Sequence, residues 1–255
     1  MDLQLKDKTL LITGASKGLG YSVARILVQE GAHVIICSRS EEALKKATDT
    51  LGDKSRYIIA DLTKSEDIHN LLHQVKEITP KLDGLFINAG GPPPGRFLDI
   101  TDDDWKSAID LVLMSAVRLT RNALPLLRKS ESPSILYNTS SSVKQPTENY
   151  LLANSLRLAV IGMMRTLADE LGPEGIRVNA VCPGAIQTRG VLDLSAISKS
   201  ANSTAKIDTK PVKAHGRSGN PDEFGKPCAF LLSPAASYIH GTMLLVDGGL
   251  YRGMM

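Results

Sequence analysis

Short apolar runs rich in β-branched residues alternate with amphipathic stretches along most of the chain, the pattern of repeated strand–helix–strand units around a parallel sheet buried on both faces. The runs place strands at 9–13, 33–37, 56–60, 84–88, 134–139, 177–182 and 243–246, with helices in the intervals. Seven parallel strands joined by crossover helices make one open, doubly wound α/β sheet. Thr101, with Asp104 three residues on, forms a capping-box signature ahead of the apolar stripe that begins at Trp105. Gly172-Pro173 is expected to stop the helix that ends at Leu171. No linker rich in Gly, Ser or Pro divides the chain and no internal repeat is visible, so residues 1–255 read as one domain. The stretch 190–220 is polar and dense in Ser and Thr, and reads as a mobile flap over a site.

Composition narrows the partners. With 42% hydrophobic residues and a formal charge of +3 over 255 residues, the chain has a soluble, globular balance. No block of five or six basic residues supplies an electrostatic footprint for nucleic acid or an anionic membrane, so the expected partner is a small molecule. The first ten residues carry four charges and no apolar core, and no later window approaches 18 consecutive apolar residues, which argues against a signal peptide or a membrane span. Cys37, Cys182 and Cys228 are too widely spaced for a CxxC pair and odd in number, so they read as buried small hydrophobes in a reducing cytoplasm.

The first chemistry-bearing motif follows the first strand: Thr13-Gly14-Ala15-Ser16-Lys17-Gly18-Leu19-Gly20, then a helical pattern over 21–30. Its glycines at 14, 18 and 20 are not spaced as GxGxxG. They supply the same physics: a turn without Cβ obstruction, backbone N–H groups aimed outward, and the positive end of a helix dipole to receive a pyrophosphate.

This turn resembles the TGxxxGxG cofactor turn of the short-chain dehydrogenase/reductases, and the resemblance runs through nearly the whole chain. Asp61-Leu62 after the third strand is similar to the family's adenine-contacting position, and Asn88-Ala89-Gly90 after the fourth to its NAG motif. Pro183-Gly184 and Thr188 resemble the segment that contacts the nicotinamide and its carboxamide, while Val246-Asp247-Gly248-Gly249 resembles the C-terminal VDGG. The resemblance implies a nicotinamide-binding Rossmann fold, oxidoreductase activity and a homotetramer or homodimer, with helices over 111–127 and 151–171 pairing between subunits. Cofactor choice is read from the end of the second strand, where Cys37-Ser38-Arg39 offers no acid for a ribose 2′-hydroxyl. Arg39, helped by Lys17, suits a 2′-phosphate, so NADP(H) is preferred over NAD(H).

The catalytic pattern breaks. In the family a Tyr handles the proton on the substrate oxygen, a Lys one turn later lowers its pKa and holds the nicotinamide ribose, a Ser orients the substrate, and an Asn supports a proton relay. Aligned through Val160-Ile161-Gly162 and Gly175-Ile176-Arg177, the Tyr falls on Ala153 and the Lys on Arg157. Ser140, thirteen residues before Ala153, retains the serine, and the Asn position falls on Val112. Three readings follow. Tyr150, a helical neighbour of Ala153 if the helix already runs there, replaces the acid; or Ser140, Arg157 or water polarises the carbonyl without one; or catalysis is lost and the protein senses NADP(H). Gly90-Gly91-Pro92-Pro93-Pro94-Gly95 is similar to a stretch in a divergent subgroup resembling β-ketoacyl reductases, and reads equally as a shaped pocket wall or a plain surface loop. His69 and His73 lack a third ligand, and Ser140-Ser141-Ser142 lacks a GxSxG elbow, so neither a metal site nor a hydrolase is expected.

Overall fold

The computed structural model describes residues 1–188 and 216–254. Seven parallel strands form one sheet in the order β3-β2-β1-β4-β5-β6-β7: β1 Thr9–Thr13, β2 His33–Ser38, β3 Ser55–Ile59, β4 Gly84–Ile87, β5 Ser134–Asn138, β6 Arg177–Pro183 and β7 Met243–Val246. Every expected strand is present, with ends within one residue of the apolar runs. The order reverses between β1 and β4, which register Leu10 beside Gly84 and Ile12 beside Phe86. Such a switch point opens a crevice beyond the carboxyl ends of the strands.

Helices α1 (Gly18–Gln29), α2 (Glu41–Leu51), α3 (Ser65–Ile78), α4 (Asp102–Ala108), α5 (Ser115–Leu127), α6 (Leu151–Leu171) and α7 (Pro221–Leu232) cover the sheet. They enclose two apolar clusters, one around Leu11, Leu85, Ile135 and Met164, the other around Leu10, Ile12, Phe86 and Phe224. Phe86 and Phe224 meet edge-to-face with centroids 6.4 Å apart. Trp105 packs on the first cluster and Met164 lies inside it, as their apolar stripe predicts, whereas His69 and His73 face outward on α3. All three cysteines are buried and free.

Two local features depart from the sequence reading. α1 starts at Gly18 rather than Tyr21, because Gly18 turns into the helix directly after the extended Lys17. The long helix over 102–127 is not regular: it passes through a π turn at Ile109–Met114 between α4 and α5, centred on Val112 and closed by the Ser115 hydroxyl donating to the Leu111 carbonyl. α6 ends at Leu171 with Gly172 as its C-cap, as expected, and a 3-10 turn over Gly172–Glu174 follows, closed by the left-handed Gly175 at φ +76°. The Thr101–Asp104 capping box forms as expected. The flap expected over 190–220 lies outside the described residues except at its end, where Gly219 pairs with Ala185 and Gln187, and Asn220 caps α7.

Candidate active site

The glycine turn is built by contact as well as by torsion. A Cβ on Gly14, whose φ is +57°, would sit 2.4 Å from the Asn88 carbonyl oxygen, and one on Gly20 would sit 2.5 Å from the Gly14 carbonyl oxygen. These two glycines let the β1–α1 turn press on the end of β4. Gly18, at φ +65°, differs: among the described residues a Cβ there would meet only Thr188, at 3.8 Å. The space above it is a cradle at the start of α1. Neither an acid in the first turn nor a side-chain cap from Lys17 compensates the positive end of that helix. The fold thus brings Thr188 across to Gly18, two expected cofactor positions 170 residues apart in sequence.

From this turn a chain of hydrogen bonds runs across three strand ends. Asn88 Nδ2 donates to the carbonyls of Thr13 at 3.2 Å and Gly14 at 3.0 Å, and the Thr13 hydroxyl bonds the Asn88 backbone. Asn138 Nδ2 donates to Asn88 Oδ1 at 2.7 Å. Arg157, on α6, then donates from Nη1 to the carbonyls of Asn138 at 3.2 Å and Thr139 at 3.1 Å. Asn138 and Thr13 are members that sequence reading passed over. A small cavity of about 10 Å³, lined by Ala89, Gly90, Val112, Ser115, Asn138 and Arg157 among others, lies beside the chain. It is at the lower limit for one water. Asn138 Oδ1 is buried without a hydrogen-bond partner among the described residues.

At the other end of the crevice, β2 presents Ser38 and Arg39. Arg39 and Lys17 are exposed, and the Ser38 hydroxyl is buried with no partner among the described residues, an orphaned donor at the place where a ribose phosphate would sit. Asp61 folds back, its Oδ1 accepting from the Thr63 N–H at 3.0 Å and hydroxyl at 2.8 Å. Against the upward push of partial burial, those bonds, with Arg39 and Lys64 nearby, hold its carboxyl below the usual range. The Leu62 side chain is in the core, which leaves only its backbone to face a ligand. Leu19 likewise packs on the second cluster, and Ser16 is half-buried in the turn. Gly184 continues β6 by donating to the Val246 carbonyl at 3.0 Å, and a Cβ on it would lie 2.7 Å from that of Asp247. The Pro183-Gly184 segment is therefore seated on the Val246–Gly249 turn.

Of the catalytic candidates, Ser140 and Arg157 converge on the end of β5. Ser140 is extended, and its hydroxyl accepts from the Ser142 N–H at 3.1 Å, starting a 3-10 turn; Arg157 holds the adjacent Thr139 carbonyl. Burial pulls the Arg157 guanidinium down to about 10, which leaves it cationic at neutral pH. Burial pushes the neighbouring Cys182 thiol up, so it is no nucleophile. Tyr150 is the N-cap of α6, with φ −116° and ψ 40°, and is not itself helical. Helical spacing to Ala153 therefore does not fix where its side chain goes, and its place in the site rests on its position at the head of α6. Asn154, four residues after Tyr150, is structural: its side chain bonds the Thr147 N–H at 3.2 Å and carbonyl at 2.9 Å. The Gly-Pro loop ties down the same connection. Gly95 N–H donates to the Asn149 carbonyl at 2.7 Å and Arg96 Nε to the Asn149 side chain at 3.0 Å, around an Asn149 at φ +62°. Pro92 is buried, but Pro93 and Pro94 are exposed, so the loop is largely surface, anchored at its end.

A glycine cradle at the switch point, polar strand ends on both sides and a cationic helix residue beside a serine define a nucleotide-binding α/β protein of the oxidoreductase type. Residues 14–251 match the family model described as enoyl-(acyl carrier protein) reductase. The chain is 32% identical, over 100% of both sequences, to an uncharacterized oxidoreductase, YvrD, of Bacillus subtilis. It is also 32% identical to the 3-oxoacyl-[acyl-carrier-protein] reductase FabG of Vibrio cholerae, over 98% of this chain and 99% of that one. Among solved structures, L-sorbose reductase of Gluconobacter frateurii, complexed with NADPH and L-sorbose, superposes with a TM-score of 0.93 at 27% identity over the full length of both chains. An NADPH-bound short chain oxidoreductase of Pseudomonas aeruginosa containing an atypical catalytic center gives 0.88 at 26% identity, covering 97% of this chain and 99% of that one. The chain belongs to the short-chain dehydrogenase/reductase family.

Proposed function

We propose that the protein is an NADPH-dependent reductase of small carbonyl compounds that works with the retained Ser140 and with Arg157 at the family's lysine position. The observation that carries this reading is the continuous chain Gly14–Asn88–Asn138–Arg157, which fixes a permanent cation beside Ser140 while holding the glycine turn open. The NADPH-bound relatives support the cofactor. The residues present fit it. Backbone N–H groups over 16–20 and the start of α1 would take the pyrophosphate, and Lys17, Ser38 and Arg39 the 2′-phosphate. Asp61 and the Leu62 backbone would border the adenine, Asn88-Ala89-Gly90 and Arg157 the nicotinamide ribose, and Pro183, Gly184 and Thr188 the carboxamide. NAD(H) remains the alternative, lacking the phosphate that Arg39 would bind.

NADPH, when bound, supplies the hydride that reaches the carbonyl carbon. This chain's residues handle the oxygen. Arg157, held by two carbonyls, supplies fixed positive charge toward the developing alkoxide, and the Ser140 hydroxyl donates a hydrogen bond to it. Tyr150, at the head of the same helix, supplies the proton that completes the alcohol. A second copy of the chain is the expected partner across the faces of 111–127 and 151–171, where Leu158 is 53% exposed on α6.

Calorimetric titration with NADPH and NADH, followed by NADPH oxidation on a panel of ketones and aldehydes, tests the reading. Tighter binding of NADPH that Arg39→Ala abolishes, together with turnover, is the expected result. Failure to bind either nucleotide overturns it, and NADPH binding without turnover leaves a nucleotide-binding protein in its place.

A further inference from the structure

Beside the strand ends, a separate cavity of about 450 Å³ lies between the 141–147 connection and the C-terminal segment, lined by Ser141, Gln145, Thr147, Leu250, Tyr251 and Arg252 with Pro146. That size falls within the range of small-molecule sites. Its first liner, Ser141, directly follows Ser140 in the chain. Both walls are built. On one side Asn154 clamps the backbone of Thr147, and Gly95 and Arg96 hold the following Asn149. On the other, Asp247 accepts from the Gly249 and Tyr251 N–H groups, each at 2.9 Å, while Gly184 presses against it.

The charges around this cavity are uneven. Arg252 is its one charged liner among the described residues and makes no ion pair with another of them. Lys144, half-buried on the same connection, is likewise unpaired there, and Arg157 bonds the carbonyl of Thr139, the residue before Ser140. The nearby acids are committed elsewhere: Asp247 to two backbone N–H groups, and Glu148, outside the cavity, to Arg96. Arg252 is exposed, so its guanidinium can meet an anionic group that enters from solvent.

We infer that the cavity is the substrate pocket and that Arg252 forms an anion subsite in it, so that the preferred substrate is a carbonyl compound bearing a carboxylate or phosphate group. The proposal rests on the reductase reading for the carbonyl, but the anion subsite is measurable by binding alone. Two matched pairs separate the charges: acetoacetate against methyl acetoacetate, and dihydroxyacetone phosphate against dihydroxyacetone. Binding of each to the protein saturated with NADP+ is followed by calorimetry, and NADPH oxidation by absorbance.

The expected result is at least tenfold tighter binding of one anionic compound than of its neutral partner. The pair that shows it identifies the anion as carboxylate or phosphate. Arg252→Gln is expected to erase that ratio without changing affinity for the neutral compound, and Arg252→Lys to keep part of it, because a point charge replaces a fork. Raising the salt should shrink the ratio in the wild type. Equal binding within both pairs, no binding of any of the four, or a ratio unmoved by Arg252→Gln overturns the anion subsite. An anion preference without turnover sustains the subsite and counts against the reductase reading; turnover confined to the neutral compounds does the reverse.

Discussion

Asn138 Nδ2 lies 2.7 Å from Asn88 Oδ1, joining the end of β5 to the end of β4, the strand that borders the β1–β4 switch point. Asn88 in turn holds the carbonyls of Thr13 and Gly14, so a residue two positions before Ser140 sets the shape of the glycine turn. Asn138→Leu removes the donor and leaves Asn88 Oδ1 unpaired in a buried place, a loss of about 1–3 kcal/mol. The variant is expected to unfold at lower urea concentration. It should also bind NADPH about tenfold more weakly, equivalent to about 1.4 kcal/mol. Equal affinity in a destabilised variant would mean that Asn88 keeps the turn in shape without Asn138.

The glycines divide into two kinds, and substitutions should separate them. Gly18→Ala places its Cβ in open space, 3.8 Å from Thr188, at a left-handed φ that costs about 1 kcal/mol or a little more. Its main effect is expected on NADPH affinity, read by titration, with a melting transition only slightly lowered. Gly20→Ala drives a methyl to 2.5 Å from the Gly14 carbonyl oxygen, a backbone atom that cannot yield without moving β1. That variant should lose thermal stability as well as binding. A Gly20→Ala protein that melts like the wild type would remove the argument that this glycine is there for packing.

Much of this architecture is legible in the sequence because the strands are buried on both faces. Leu10-Leu11-Ile12 and Val34-Ile35-Ile36 are unbroken apolar runs for that reason, and their ends could be read to within a residue. Strand ends in turn located the glycine turn, Asn88 and Ser140. What escaped has a common cause, since it depends on backbone geometry that hydrophobic period does not encode. The π turn at Val112 leaves the apolar stripe almost unchanged, and Gly18, at a left-handed φ, already begins α1 where the helical period reads only from Tyr21. Asn138 was missed because one polar residue closing a strand looks like the start of a loop. Only the paired strand beside it shows that its amide meets Asn88.

Arg157 should behave as a fixed charge. Burial brings its guanidinium well below the usual arginine value, down to about 10, so it stays protonated through the whole range from pH 6 to 9. Because this folded-state value is depressed for a base, the charged form is the one folding disfavours, and release of its proton begins only as pH rises towards 10. The kcat of the wild type is therefore expected to carry no ionisation from Arg157 between pH 6 and 9. Arg157→Lys, with a flexible ammonium in place of a planar guanidinium whose Nη1 holds two carbonyls, should lower kcat and add an alkaline-side inflection, measured as a pH–rate profile. A profile identical in shape to the wild type would show that the cation at this position does not act on the reacting oxygen.

One substitution decides the proton donor. Tyr150 begins α6 and is half-buried, and its backbone is tied to the Gly-Pro loop through the Gly95–Tyr150 bridge and the neighbouring Asn149. Those ties use main-chain atoms and the Asn149 side chain, so Tyr150→Phe leaves them in place and removes only the hydroxyl. If the phenol protonates the alkoxide, kcat should fall by about 10²–10⁴ with the Kd for NADPH unchanged. Ser140→Ala would then cost less, since it removes a hydrogen bond and not the proton. The opposite order, a mild effect at Tyr150 and a severe one at Ser140, would assign proton delivery to the serine or to water held at the end of β5. Measuring kcat and cofactor Kd for both variants under one condition separates the two, because neither change alters the charge of the site.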